Sequence, residues 1–190
     1  MKKGFTLVET LVAITILLIS IAGPLTIASK GLSGAYYARD QITAYYLAQE
    51  GIEYIRNVRD THSLDGSLVK AQWLVGDDNT GGLNYCMNAF CRIDVRNTDP
   101  AVGVSSCSGD APTKPDLHCA PLMIDTDSLG SDSLYDYSPS GVPSQFTREI
   151  TIKTFADNAD EVQVTSTVYW RSPLPNSSFS LTEDITNWEK

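Results

Sequence analysis

The chain has 190 residues, 23 acidic against 14 basic, for a formal net charge of −9. A surface of that sign repels phosphate backbones, so nucleic-acid binding by bulk charge is not expected. The length suits one membrane helix followed by one globular domain, with enough chain beyond residue 60 to bury one modest core.

The first thirty residues organise the rest. From Thr10 to Ser29 no charged residue occurs, and Ile, Leu, Val and Ala dominate. As a helix this run rises roughly 30 Å, the thickness of a bilayer core. Lys2 and Lys3 precede it. The bias of basic residues to the cytoplasmic side puts the N-terminus inside and everything after Lys30 outside. Glu9 stands at the start of the apolar run. A carboxylate there costs about 2.5 to 3.5 kcal/mol on insertion scales, which predicts that it is paired or functional. The span offers no cation further along. A cut after Gly4, however, frees an amine on Phe5, and in a stack of helices offset along an axis the amine of one copy neutralises the carboxylate of the next. A secretory signal cleaved near Ser20-Ile21-Ala22 or Thr26-Ile27-Ala28 is the simpler alternative. The charged Glu9 and the length of a full span argue against it.

Lys3-Gly4-Phe5-Thr6-Leu7-Val8-Glu9 followed by an apolar helix resembles the leader of type IV pilins and type II secretion pseudopilins. The resemblance implies cleavage between Gly4 and Phe5 by a prepilin peptidase, N-methylation of Phe5, and retention of the apolar helix as filament core. It further implies inter-subunit pairing of Phe5 with Glu9, with an inner-membrane assembly platform and other pilin or pseudopilin subunits as partners. Removing Met1 to Gly4 deletes two lysines and takes the net charge from −9 to −11. Gly23-Pro24 interrupts the apolar run, and Pro24 predicts a kink or a locally melted stretch. The resemblance implies that this segment unwinds on entering a filament.

From Ala35 the pattern becomes amphipathic: Ala35, Ala38, Ile42, Tyr45, Ala48, Ile52 and Ile55 recur three and four apart, a stripe that wants a sheet or helix to lie on. Glu53 and Arg56 are spaced for a surface pair. The helix is expected to end near Arg59 or Asp60. Ala48-Gln49-Glu50-Gly51 faintly resembles the minor pilin V and pseudopilin I subgroups.

Residues 61–144 are rich in Gly, Asp, Asn, Ser and Pro and read as a variable loop region, with short strand-like pieces at Ala71 to Val75 and Arg92 to Val95. Asp99 to Pro121 is expected to be an exposed loop. The four cysteines, Cys86, Cys91, Cys107 and Cys119, lie on the exported side. An even count there reads first as two disulfides with three allowed connectivities; the short local loops favour Cys86 with Cys91 and Cys107 with Cys119. Their spacing fits a zinc site poorly. Asp125, Asp127 and Asp132, with Asp136 beyond, superficially resemble a calcium loop. Leu129 supplies no side-chain oxygen where one is wanted, and a solvated acidic turn is the simpler reading.

The last 50 residues carry the clearest strand signal. Phe146, Ile150 and Ile152 alternate with Thr147, Glu149, Thr151 and Lys153. Val162, Val164, Val168 and Trp170 alternate with Gln163, Thr165, Thr167 and Tyr169. Ala156 to Asp160 forms the turn between them, a third strand covers Phe179 to Ile185 after a loop at Pro173 and Pro175, and Tyr135 to Tyr137 adds an edge. An antiparallel meander on the spine helix follows. Trp188 is expected to anchor the terminus by packing. His62 and His118 both fall in loop-like sequence without a recognisable catalytic motif, so no catalytic residue is expected.

The expected layout is therefore a leader at residues 1–4, a transmembrane and filament-core helix at 5–29, a spine helix at 30–60, a disulfide-stapled loop region at 61–144 and an antiparallel sheet at 145–190. This is an α+β fold of the kind the pilin resemblance implies. The function implied is a structural subunit, a minor pilin or pseudopilin, inserted once in the cell membrane with its N-terminus inside and later part of an extracytoplasmic filament. The rival is a binding subunit at a filament tip, an adhesin or DNA-uptake minor pilin, whose contacts lie in the loops from Asp60 to Ser144. Neither a cofactor nor a metal is expected beyond the weak calcium loop.

Overall fold

The computed structural model describes Gly4 and residues 6–64, 72–75, 82–110, 117–124, 135–171 and 177–188. They form one long helix, a five-stranded antiparallel sheet and a smaller three-stranded one, an α+β arrangement consistent with the pilin fold. Residues 1–40 and 41–190 form separate units.

Helix α1 runs from Leu7 to Leu64. It passes Arg59 and Asp60, where it was expected to end, because residues 59–64 contain neither Gly nor Pro to interrupt it. It also passes through Gly23-Pro24 without a break in the helical run, so the melted stretch expected there is absent. One missing amide donor does not end a helix flanked on both sides by Leu, Ile and Ala.

In the second unit α1 buries Ala44, Leu47, Ala48, Ile52, Ile55 and Val58. The expected stripe holds from Ala48 onward and fails before it. Ala35 and Ala38 are exposed, while Ile42 remains 58% and Tyr45 42% exposed. Bulk misleads here, because the buried face is set by small residues that let the backbone come close. A Cβ added at Gly51 would stand 2.7 Å from Ile150 Cδ1 and 3.2 Å from Ser166 Oγ.

The large sheet has the order β2-β1-β6-β7-β8. Strands β6 (Phe146–Phe155), β7 (Asn158–Trp170) and β8 (Ser178–Thr186) are the expected meander. The turn is tighter than expected, since Phe155 already pairs with Asn158. Val162, Val164 and Ile185 close over Ile52, Ile55 and Val58 in the core.

The region expected to be loops contributes more. Strand β1 (Cys91–Ile93) pairs with both β6 and β2 (Val104–Ser106), and a one-turn helix, α2 (Pro100–Gly103), separates β1 from β2. The exposed loop expected over Asp99 to Pro121 is corrected accordingly: Val104, Cys107, Leu117 and Cys119 are buried. The strand expected at Ala71 to Val75 is not one. Ala71 lies outside the described residues, and Gln72 to Val75 turn. Adjacent Trp73 and Leu74 are both buried in one core cluster, and their backbone turns instead of extending. Tyr135–Asp136, expected as an edge, forms β4 at one edge of the small sheet, beside β3 (Met123–Ile124), with β5 (Val142–Pro143) on the other side, in the order β4-β3-β5. Pro173 and Pro175 lie outside the described residues.

Strand β6 departs from alternation, as Phe146, Thr147, Arg148, Glu149 and Ile150 are all buried. One face meets α1. Against the other lies the 117–122 segment, whose His118 and Cys119 amides donate to the Glu149 carboxylate and whose Leu122 amide donates to the Phe146 carbonyl at 2.9 Å.

Glu53 and Arg56 do pair, and Arg56 reaches on to Glu183 of β8. That second hydrogen bond is the main cause holding the guanidinium above its ordinary pKa. Trp188 is corrected from a packed anchor to a 53% exposed ring whose indole donates to Asp60 at 3.4 Å.

Candidate functional site

The N-terminus of α1 is built by Thr6. Its hydroxyl accepts from the Glu9 amide at 3.3 Å and its carbonyl accepts from the Thr10 amide at 3.2 Å, so Thr6 is the N-cap. Thr6-Leu7-Val8-Glu9 has the spacing of a capping box, a signal the sequence reading passed over. Glu9, in the first turn, also sits where the helix dipole favours negative charge. Its side chain is exposed, and no residue among those described pairs with it. Gly4 is exposed, while Lys2, Lys3 and Phe5 lie outside the described residues.

From Leu7 to Tyr36 every residue is exposed, including Leu11, Ile14, Ile16, Leu17, Leu18 and Ile19. The helix is long and apolar enough to cross a membrane. An apolar surface on this scale, left uncovered within the chain, requires lipid or other helices around it. The N-terminal segment thus combines a small exposed residue, a capped helix start with an unpaired carboxylate, and an uncovered apolar rod.

A profile described as "Prokaryotic N-terminal methylation motif" matches residues 1–23. The chain carries that motif. The methylation motif is the leader signature of type IV pilins and pseudopilins, and it spans Gly4, Phe5 and Glu9 together. No curated protein and no solved structure matches the chain. The motif points to a structural protein anchored in a membrane by its N-terminal helix. It also implies processing by a prepilin peptidase and assembly with other pilins.

Away from the motif, the cysteines pair as expected: Cys86 with Cys91 and Cys107 with Cys119, with Cα separations of 4.8 and 4.7 Å. The second bridge ties Cys107 to the 117–122 segment, which Asp110 and Glu149 also hold. Asp110 accepts from Arg92 of β1 at 2.9 Å and from the Ala120 amide at 2.9 Å. With a sequence separation of 12, that bridge removes about 3 kcal/mol of chain entropy from the unfolded state. Replacing both Cys107 and Cys119 with alanine is expected to cost about that much, read as a lower urea midpoint of the full-length protein in detergent. An unchanged midpoint would show that Asp110 and Glu149 hold the 117–122 segment unaided.

The expected calcium ligands Asp125, Asp127 and Asp132 lie outside the described residues. Asp136 is buried, paired with Arg96 at 2.7 Å and accepting from the Ser138 amide at 2.8 Å. Among the described residues no group of three His, Cys, Asp or Glu is placed to hold a metal ion. His62 belongs to the last turn of α1 rather than to a loop. His118 stacks on Phe90 with ring centroids 3.8 Å apart and its Nδ1 3.5 Å from Glu149. Burial pushes the Tyr54 phenol up to about 12, Asp99 and Asp94 adding to the effect, and burial does the same for Tyr137. Both stay protonated at neutral pH, and Tyr54 donates to the Asn97 carbonyl at 2.8 Å.

Sequence reasoning also missed Arg148. Phe146, Ile150 and Ile152 define the inner face of β6, and the same period of two puts Arg148 on it. Its guanidinium is fully buried and donates to the carbonyls of Leu47 at 3.0 Å and Ile93 at 2.6 Å, and to the Glu50 carboxylate at 2.7 Å. One side chain therefore ties β6 to α1 and β1.

Proposed function

We propose that this chain is a minor pilin or pseudopilin, a non-enzymatic structural subunit of a type IV pilus or type II secretion pseudopilus that assembles through its N-terminal helix. The observation that carries the reading is the methylation motif at residues 1–23 on a helix whose apolar surface is uncovered through Tyr36. Lys2 and Lys3 hold the leader inside, and everything after Lys30 is exported. The peptidase cuts between Gly4 and Phe5 and the new amine of Phe5 is methylated. In the filament that amine meets Glu9 of the neighbouring subunit. Away from bulk water the pair is worth on the order of 4 kcal/mol at contact, enough to select one longitudinal register. Extraction from the bilayer is feasible because the filament core offers the same helix an apolar alternative to lipid.

Intact-mass measurement tests the first step. Protein co-expressed with a prepilin peptidase is expected to lack Met1 to Gly4 and to carry one added methyl group on Phe5. A full-length N-terminus under those conditions refutes the reading.

A further inference from the structure

The helix changes character between Ser29 and Asp40. Lys30 ends the uncharged run and Arg39 is the next basic residue, with Gly31, Leu32, Tyr36 and Tyr37 between them. Leu32 and Tyr36 are exposed, at 57% and 52%. Arg39 lies over the Tyr36 ring at 5.4 Å and pairs with Asp40 at 3.1 Å, keeping its side chain 67% exposed.

We propose that Lys30, Tyr36, Tyr37 and Arg39 form a collar that binds phospholipid headgroups at the outer surface of the membrane and sets the depth at which the subunit is stored before assembly. The proposal rests on the span assigned above. Three observations carry it. The collar is continuous with the uncovered apolar rod. Its cations complement lipid phosphate, and tyrosines beside them match the residues enriched at membrane–water boundaries. Its residues also surround the helix. Lys30 and Tyr37, seven apart, share one side, while Leu32, Tyr36 and Arg39, spaced by four and three, share the opposite side. A protein partner docks on one side, whereas a headgroup layer meets every side alike.

The depth is consistent. Tyr36 stands seven residues beyond Ser29, roughly 10 Å along the axis, and the headgroup layer is roughly 5 to 8 Å deep on each face. The stem of Lys30 lets its ammonium reach the surface from a Cα below the hydrocarbon boundary. That lowers the helix by several ångströms and brings Tyr36 into the headgroups.

Photo-crosslinking decides it. A benzophenone amino acid is placed singly at Val12, Tyr36 or Tyr46 of the full-length protein in vesicles of phosphatidylethanolamine and phosphatidylglycerol, and adducts are identified by mass spectrometry. Lipid adducts are expected at positions 12 and 36 but not at 46. Arg39→Gln is expected to lower the share of phosphatidylglycerol among adducts at position 36 up to about fivefold. Adducts at 12 without adducts at 36, adducts at 36 to a second copy of the chain in place of lipid, or an Arg39→Gln variant with an unchanged lipid share each overturn the collar. Absence of lipid adducts at 12 refutes the span, and with it the proposal.

Discussion

Glu9→Ala is expected to leave the protein in the membrane and to remove it from sheared filaments. Deleting the carboxylate relieves an insertion cost of about 2.5 to 3.5 kcal/mol, so partition into the bilayer is unchanged or improved. Assembly loses the partner of the processed N-terminus, leaving an amine in a water-poor core with no counter-charge. A loss of about 4 kcal/mol per contact lowers association by roughly a thousandfold, below detection in a filament fraction. Glu9→Gln separates this role from the capping geometry at Thr6, because glutamine serves at the third position of a capping box as well as glutamate does. If the charge matters, Glu9→Gln is absent from filaments too; if capping alone matters, it assembles normally. Immunoblots of membrane and sheared fractions read both variants, and Glu9→Ala at wild-type level in filaments would defeat the pairing.

Arg148→Ala is expected to be the most destabilising single change in the domain beyond residue 40, at about 3 to 5 kcal/mol. That is a large share of the roughly 5 to 15 kcal/mol that holds a domain of this size together. The loss has several parts: a cavity between α1 and β6, a buried Ile93 carbonyl left without its donor, and the end of the tie to Glu50. Leu47 keeps its place in the helical ladder and suffers less. Arg148→Met fills most of the volume and leaves Glu50, whose side chain is 40% exposed, to be solvated. It should therefore cost markedly less than alanine. Urea midpoints of the full-length variants in detergent provide the measurement. An alanine variant within about 1 kcal/mol of the parent would mean that the helix is seated on the sheet by apolar packing alone.

The sequence was most legible where one period or one local motif decides the outcome. The 20-residue uncharged run from Thr10 to Ser29 and the strict alternation of Val162, Val164, Val168 and Trp170 each required only neighbouring residues to be read. The leader motif is local for the same reason, since it lies wholly within residues 1–23. Cys86 with Cys91 and Cys107 with Cys119 were legible because short loops close at the smallest entropy cost. Legibility failed where partners are distant in the chain. Ile42 and Tyr45 continue an apolar period yet lie outside the core, because small Ala44, Ala48 and Gly51 set the close approach. Trp73 and Leu74 look like a strand and serve as a turn.

What the sequence by itself determined is the N-terminal element: an apolar rod, a carboxylate at its start and a small residue shortly before it, all encoded within 30 consecutive positions. Only the tertiary structure decided that residues 91–93 and 104–106 join the C-terminal meander, and that Arg148 is buried between helix and sheet. The reason is physical. Whether an arginine on an apolar face snorkels to water or is enclosed depends on carbonyls supplied by Leu47 and Ile93, 101 and 55 residues away. Pairing of short edge strands depends in the same way on which neighbours the fold brings alongside, and no local pattern records that.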